Sequence, residues 1–224
     1  MATVSAERGS PDAIAWCTAE GWGLPADRVA AIALMTAALD DSAPMSSPYT
    51  MCRLAELLGK TDPSARELLA RAALEGCALG HHGLAVFGDR AVHMQRAADL
   101  GHADARCTVA TMLDFGELSQ TAGAAARAGE LYILAAQQGE TTAMYNLSMS
   151  YTDGSCGLEV DAAAAARWML AAAQAGDVAA QARYGRMCMT GTGVTRDERC
   201  GRTCLPGVRP GRRVGDQDVA YACV

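Results

Sequence analysis

The sequence predicts an all-α solenoid, built from antiparallel helix pairs stacked one on the next. Three observations predict it. First, a unit recurs: Gly139 aligns with Gly176 and Gly101 with Gly139, and Ala97-Ala98, Ala135-Ala136 and Ala172-Ala173 precede them in register. A period of this length marks stacked supersecondary units, each too small to bury its own apolar face alone. Second, Ala143, Leu147 and Tyr151 recur at i, i+4 and i+8, the spacing of one helical face. Third, the chain is 50% hydrophobic but only 5% aromatic, the balance an alanine-built helical stack requires.

The best-written unit runs from Gly139. Its first helix carries Ala143, Leu147 and Tyr151, and the chain then turns at Asp153-Gly154-Ser155-Cys156-Gly157. Asp161 is placed to cap the orphan backbone N–H groups of a second helix whose apolar side holds Ala165, Trp168 and Ala172. Gly176 ends that helix, because a left-handed position past the last turn costs glycine least. Alanine at the contact positions lets two helix axes approach closely, and one Trp or Tyr per helix fills the remaining space.

This pattern resembles the Sel-1-like repeat, a relative of the tetratricopeptide repeat with a longer loop between its two helices. The matching residues are Ala135, Ala136, Gly139, Ala143, Leu147, Tyr151, Gly154, Gly157, Asp161, Ala165, Trp168, Ala172 and Ala173. The match restarts at Gly176, Ala180, Tyr184, Gly185, Gly191, Gly193, Val194 and Asp197. It departs at Ser148, where the family has Gly, and at Leu158, where it usually has Val; the loop at Ser155-Cys156 is one residue longer than at Thr192. The resemblance is specific over 127–197, degraded over 89–126 and suggestive before that. It implies a right-handed TPR-like superhelix of about five helix pairs. It also implies a protein or peptide partner laid along the concave face, where successive first helices present their side chains. Asn146, Arg183 and Arg186 are the expected protein-binding positions on that inner side.

Before this array, Ser10-Pro11 reads as the cap of a short helix closed by Gly21, and Pro25 opens a second helix to Leu39. Val29, Ile32, Met35 and Leu39 form its apolar stripe. Residues Asp41 to Pro48, DSAPMSSP, read as a loop and the best place for a flexible joint. Helices follow at Tyr49 to Leu58 and Ala65 to Glu75, the latter capped by Asp62-Pro63 and closed by Gly76. The unit from Gly76 to Gly101 is short, with a tight turn at Gly88-Asp89 in place of the long loop. The organisation is therefore divergent helix pairs over 1–88, Sel-1-like repeats over 89–198 and a disordered Arg/Gly/Pro/Cys tail over 199–224. Past Asp197 no second helix is expected, because Gly201, Pro206, Pro210 and a run of Arg break the period. The preceding helix would then expose Tyr184, Met187 and Cys188 unless something covers them.

Charge and motifs narrow the function. The chain carries −6 at pH 7 and the segment from Arg199 has five Arg against two Asp, which leaves −9 on the residues before it. An acidic stack argues against nucleic acid, whose phosphates need clustered Lys and Arg. No secretory signal opens the sequence and no apolar run is long enough to span a bilayer, so no membrane partner and a cytoplasmic location are expected. The alanine-rich helix from Asp161 has one basic residue, Arg167, too few for a membrane-surface helix. The nine cysteines show no pairing that recurs within the repeats, and Cys77, Cys107 and Cys188 read as small buried helix residues of a reduced chain.

No catalytic, cofactor or metal site is expected, and the protein is read as a non-enzyme. Gly191-Thr192-Gly193 lacks the preceding strand and following Gly-Lys-Ser/Thr of a phosphate loop. His81 and His82 diverge by about 100° on a helix, and with His93 and His102 they show no metal-ligand spacing. Cys200 and Cys204, with Cys223, could be zinc thiolates, but no fourth ligand is in register and exposed thiols are the simpler reading. Asp153, Asp161 and Asp197 are accounted for as turn and cap residues. The function expected is a protein-interaction scaffold or adaptor. Two alternatives stay open: a weak hydrolase or ligand-binding protein like the cysteine-rich bacterial relatives, and an incomplete repeat fragment with an open end.

Overall fold

The computed structural model describes residues 28–40, 47–118 and 123–203. Among them are eleven helices and no strand: α1 Arg28–Asp40, α2 Pro48–Leu58, α3 Pro63–Leu74, α4 Ala78–Leu84, α5 Arg90–Asp99, α6 Ala103–Asp114, α7 Ala124–Gln137, α8 Thr141–Asp153, α9 Ala162–Gln174, α10 Val178–Thr190 and α11 Glu198–Thr203. The fold class is the all-α solenoid of helix pairs. Two compact units divide at Ala105 and Arg106.

In the first unit the caps follow the sequence. Ser47 accepts from the Tyr49 N–H ahead of Pro48, and Asp62 accepts from the Ser64 N–H ahead of Pro63. Met51, Cys52 and Ala55 of α2 pack on Ala65, Leu69 and Ala72 of α3, with Leu84 of α4 closing the cluster. Helices α3 and α4 touch at Gly80, where a Cβ would lie 2.7 Å from the Ala73 backbone nitrogen. Asp89 takes a left-handed φ of 45° at the expected tight turn before α5. Of the stripe read for α1, Met35 is buried against Leu54 and Ile32 packs beside them, with Ala31 also buried, while Val29 is 78% exposed. The Ser10-Pro11 helix and residues 41–46 of the joint lie outside the described residues.

The second unit carries the repeat. Ala143 and Leu147 of α8 are fully buried against Tyr132, Ala135 and Ala136 of α7, while Tyr151 and Trp168 pack at the edge of the same cluster. Asp161 accepts from the Ala164 N–H at 2.9 Å and so caps as read, and Asp177 caps the next helix in the same way, accepting from the Ala180 N–H at 2.6 Å. The departure at Ser148 has a physical account: its hydroxyl is buried and donates to the Ala165 carbonyl at 2.6 Å, crosslinking α8 to α9. The extra loop residue is Cys156, held at φ 53° and buried.

Past Asp197 the structure corrects the sequence reading. A second helix does begin: Asp197 accepts from the N–H groups of Arg199 and Cys200 and starts α11. Gly201 is a contact residue there, since a Cβ on it would lie 2.8 Å from the Gly185 carbonyl and 2.3 Å from Met189. Glycine breaks helical period in a sequence, yet here it permits the closest approach of α10 and α11. Tyr184 and Cys188 are accordingly buried, with Val194 and Cys200 packed on them, and Met187 is half-buried rather than exposed. Cys77 is also displaced from its expected role, standing half-buried at the N-cap of α4 instead of inside a helix. Residues 204–224 lie outside the described residues.

Candidate functional site

Helices α8 and α10 are consecutive first helices, and their shared side forms a cleft of about 230 Å³. Met149, Met169 and Met187 make its apolar lining, and Arg183 and Arg186 stand along it. The two arginines follow from helical spacing, three residues apart on α10 and so on one side. Arg183 lies over the Tyr145 ring at 5.4 Å, a cation–π contact. Neither arginine makes an ion pair among the described residues. Thr190, at the cleft end, is committed internally: its hydroxyl donates to the Arg186 carbonyl and pairs with Thr192.

Of the three positions expected to bind a partner, Arg183 and Arg186 therefore share one cleft. Asn146 sits elsewhere. It is half-buried, and its amide donates at 3.5 Å to the hydroxyl of Tyr132, which also pairs with Thr111 at 3.0 Å. Tyr132 is 1% exposed, and burial pushes its hydroxyl up to about 12. Met149 and Met169 were not singled out from sequence, and Met187 was named there only as a residue left without cover. Met149 and Met187 are separated by one repeat plus a residue, and only the helix register brings them to one cleft.

The histidines converge in a way their spacing did not indicate. His82 on α4 meets the Asp104 carboxylate at 2.6 Å and stacks on His102, with ring centroids 4.5 Å apart and planes 18° apart. The three possible ligand atoms lie within 4.8 Å of one another. This is not a preformed chelate. An imidazole donates its lone pair in the ring plane, and two nearly parallel planes this far apart do not meet at one ion. The His102 Nδ1 also accepts the Ala105 N–H at 3.3 Å. On the other side of α4, His81 and His93 face each other through their Nδ1 atoms at 3.3 Å. Burial first, then the neighbouring His93 and Arg96, lowers the basicity of His81. Cys156 is no nucleophile candidate: its thiol donates to Asp114, and burial raises its pKa, the reverse of what thiolate chemistry needs.

A larger opening of about 690 Å³ lies between the alanine side of α9, the α10 end and α11. Ala162, Ala163 and Ala166 line it on one side, and Cys188 and Cys200 on the other.

The Sel1 repeat model matches residues 13–41, 92–102, 110–140, 141–177 and 178–199, together more than half of the chain. The chain belongs to the Sel1 repeat family. Two solved structures share the fold of this Sel1 repeat chain. One is the Oxalobacter formigenes Sel1 repeat protein, 21% identical with a TM-score of 0.73, where the match covers 86% of this chain and 83% of that one. The other is c5321, a protective antigen present in uropathogenic Escherichia coli strains and displaying an SLR fold, 24% identical with a TM-score of 0.71. That match covers 91% of this chain and 46% of the E. coli protein, so the chain spans under half the length of that relative. No curated protein is matched by the sequence. Sel1 repeat proteins are generally non-catalytic scaffolds that bind other proteins. Among the described residues no helix is long and apolar enough to cross a membrane.

Proposed function

We propose that this chain is a non-catalytic protein-interaction scaffold, and that the α8–α10 cleft receives a partner segment pairing an acidic side chain with an apolar one. The observation that carries this is the pair Arg183 and Arg186, both without a carboxylate partner among the described residues, set beside a methionine-lined cleft. Methionine adapts its shape to the side chain it receives, and arginine gives a carboxylate a forked, charge-assisted pair of hydrogen bonds. On this reading Asn146 acts behind the cleft, steadying α8 through Tyr132 rather than touching the partner. The net charge of −6 fits a protein partner better than a nucleic acid.

The test does not require knowing the partner. Selection from a random peptide library on the full chain is expected to enrich peptides with Asp or Glu next to Leu, Met or Phe. Arg183→Ala and Arg186→Ala are each expected to weaken the selected peptides about tenfold, the loss of one charge-assisted contact. Enrichment with no acidic residue, or binding indifferent to both arginines, refutes this use of the cleft.

A further inference from the structure

We propose that Cys188 and Cys200 are an oxidative modification site, a dithiol that closes to a disulfide and fastens α11 onto α10. Their sulfurs lie 3.2 Å apart. A disulfide needs about 2.05 Å, so closure asks for roughly 1.1 Å, within the reach of two side-chain rotations. The backbone already holds the two elements in place: the Asp197 N–H donates to the Cys188 carbonyl at 2.8 Å, and Gly201 rests against Gly185 and Met189. Cys188 is 3% exposed and Cys200 is half-buried, and both border the 690 Å³ opening, which gives a small disulfide such as oxidised glutathione a way in.

The chemistry is a two-step exchange. The Cys200 thiolate, on the more accessible side, attacks one sulfur of glutathione disulfide; a Cys–glutathione bond forms, the S–S bond of the oxidant breaks, and one glutathione thiolate leaves. Cys188, losing its proton to solvent, then attacks the Cys200 sulfur and expels the second glutathione thiolate. Two protein thiols lose two electrons together, and one glutathione disulfide becomes two glutathione molecules.

A second close pair in the chain sharpens the claim. Cys52 and Cys77 are 3.8 Å apart, wider than the 3.2 Å of Cys188 and Cys200, and the Cys52 thiol is pushed up to about 12, first by burial and then by Cys77. With its sulfurs further apart, this pair is expected to close after Cys188 and Cys200 as the oxidised fraction rises.

What closure changes is the last described helix. Helix α11 has six residues and covers Tyr184 and Cys188, and a covalent tie suppresses its local opening. The test equilibrates the full chain in glutathione buffers of increasing oxidised fraction, alkylates remaining thiols and maps tryptic peptides by mass spectrometry. The expected product joins peptide 187–196 to peptide 200–202. Before such full digestion, native tryptic cleavage after Arg196 and Arg199 should slow about tenfold or more on oxidation. Neither Cys200→Ser nor Cys188→Ser should show that slowing, while cleavage of reduced Cys200→Ser matches the reduced parent. A crosslink at Cys52–Cys77 instead, pairing of Cys200 with Cys204 or Cys223, or a 188–200 link that leaves cleavage unchanged overturns the proposal.

Discussion

Replacing Gly129 by alanine sets two physical effects against each other, and the structure decides the sign. Gly129 lies in the interior of α7, where alanine is favoured over glycine by about 1 kcal/mol from helix propensity alone. A Cβ at this position, however, would stand 2.3 Å from the Cys156 carbonyl oxygen, against an ordinary contact of about 3.5 Å. The loop has little room to retreat. Cys156 is buried at φ 53°, and Gly157 beside it is set so closely on α7 that its own Cβ would lie 2.8 Å from the Ala126 Cα. Overpacking of this kind costs typically 1–3 kcal/mol, and more where backbone must move. With the propensity gain subtracted, Gly129→Ala is expected to destabilise the second unit by about 2 kcal/mol. Urea unfolding followed by helical circular dichroism gives the value. Exposed Glu130, the next residue, supplies the internal reference: Glu130→Ala should be more stable than Glu130→Gly by about 1 kcal/mol. If Gly129→Ala equals or exceeds the parent in stability while the Glu130 pair behaves as stated, the close packing of α7 against the 154–158 loop is refuted.

Three further outcomes follow from the same packing. Leu147→Ala, at a fully buried position, is expected to lose about 3 kcal/mol in urea unfolding, the usual cost of an unfilled leucine cavity. Tyr132 holds its proton more tightly in the folded chain than a free tyrosine does, burial pushing its hydroxyl up to about 12. The stability this confers is complete below pH 10 and is lost as pH rises towards 12; the loss is on the order of 2–3 kcal/mol, and comparison with Tyr132→Phe isolates it in alkaline unfolding curves. His81 is the opposite case: its folded basicity is lowered, so its contribution is present above pH 6.5 and fades as pH falls through the folded value. Protection of the α4 and α5 amides, after correction for the slower intrinsic exchange in acid, should fall on acidification in the parent and lose that pH dependence in His81→Asn.

The fold was legible where the sequence states local chemistry. Gly139, Gly154, Gly176 and Gly191 take the left-handed conformation at helix ends, and Asp161 and Asp177 cap as their positions indicate. These features depend on neighbours a few residues away. What escaped depends on residues far apart. Gly201 reads as a helix breaker until Gly185 and Met189 are placed opposite it. The period of α1 gives Ile32 and Met35, which meet Leu54, but not the exposure of Val29 in the same stripe. His82 and Asp104 are 22 residues apart with no shared motif, so their meeting comes only from packing α4 beside the start of α6. For the cleft, the sequence located Arg183 and Arg186 but gave no reason to separate Asn146 from them; the Tyr132 hydroxyl is what draws Asn146 away.

The central claim is that Arg183 and Arg186 recognise an acidic side chain in a methionine-lined cleft, and fluorescence anisotropy of one library-selected peptide tests it most directly. Titrated with the parent chain, the peptide is expected to bind with an affinity that falls as salt is raised, through screening of half-buried Arg183 and exposed Arg186. The double charge reversal Arg183→Glu/Arg186→Glu should weaken it about a hundredfold, two charge-assisted contacts of roughly 1.4 kcal/mol each, with the helical signal of the chain unchanged. Binding that survives the double reversal within about twofold, in a chain still folded, contradicts the account.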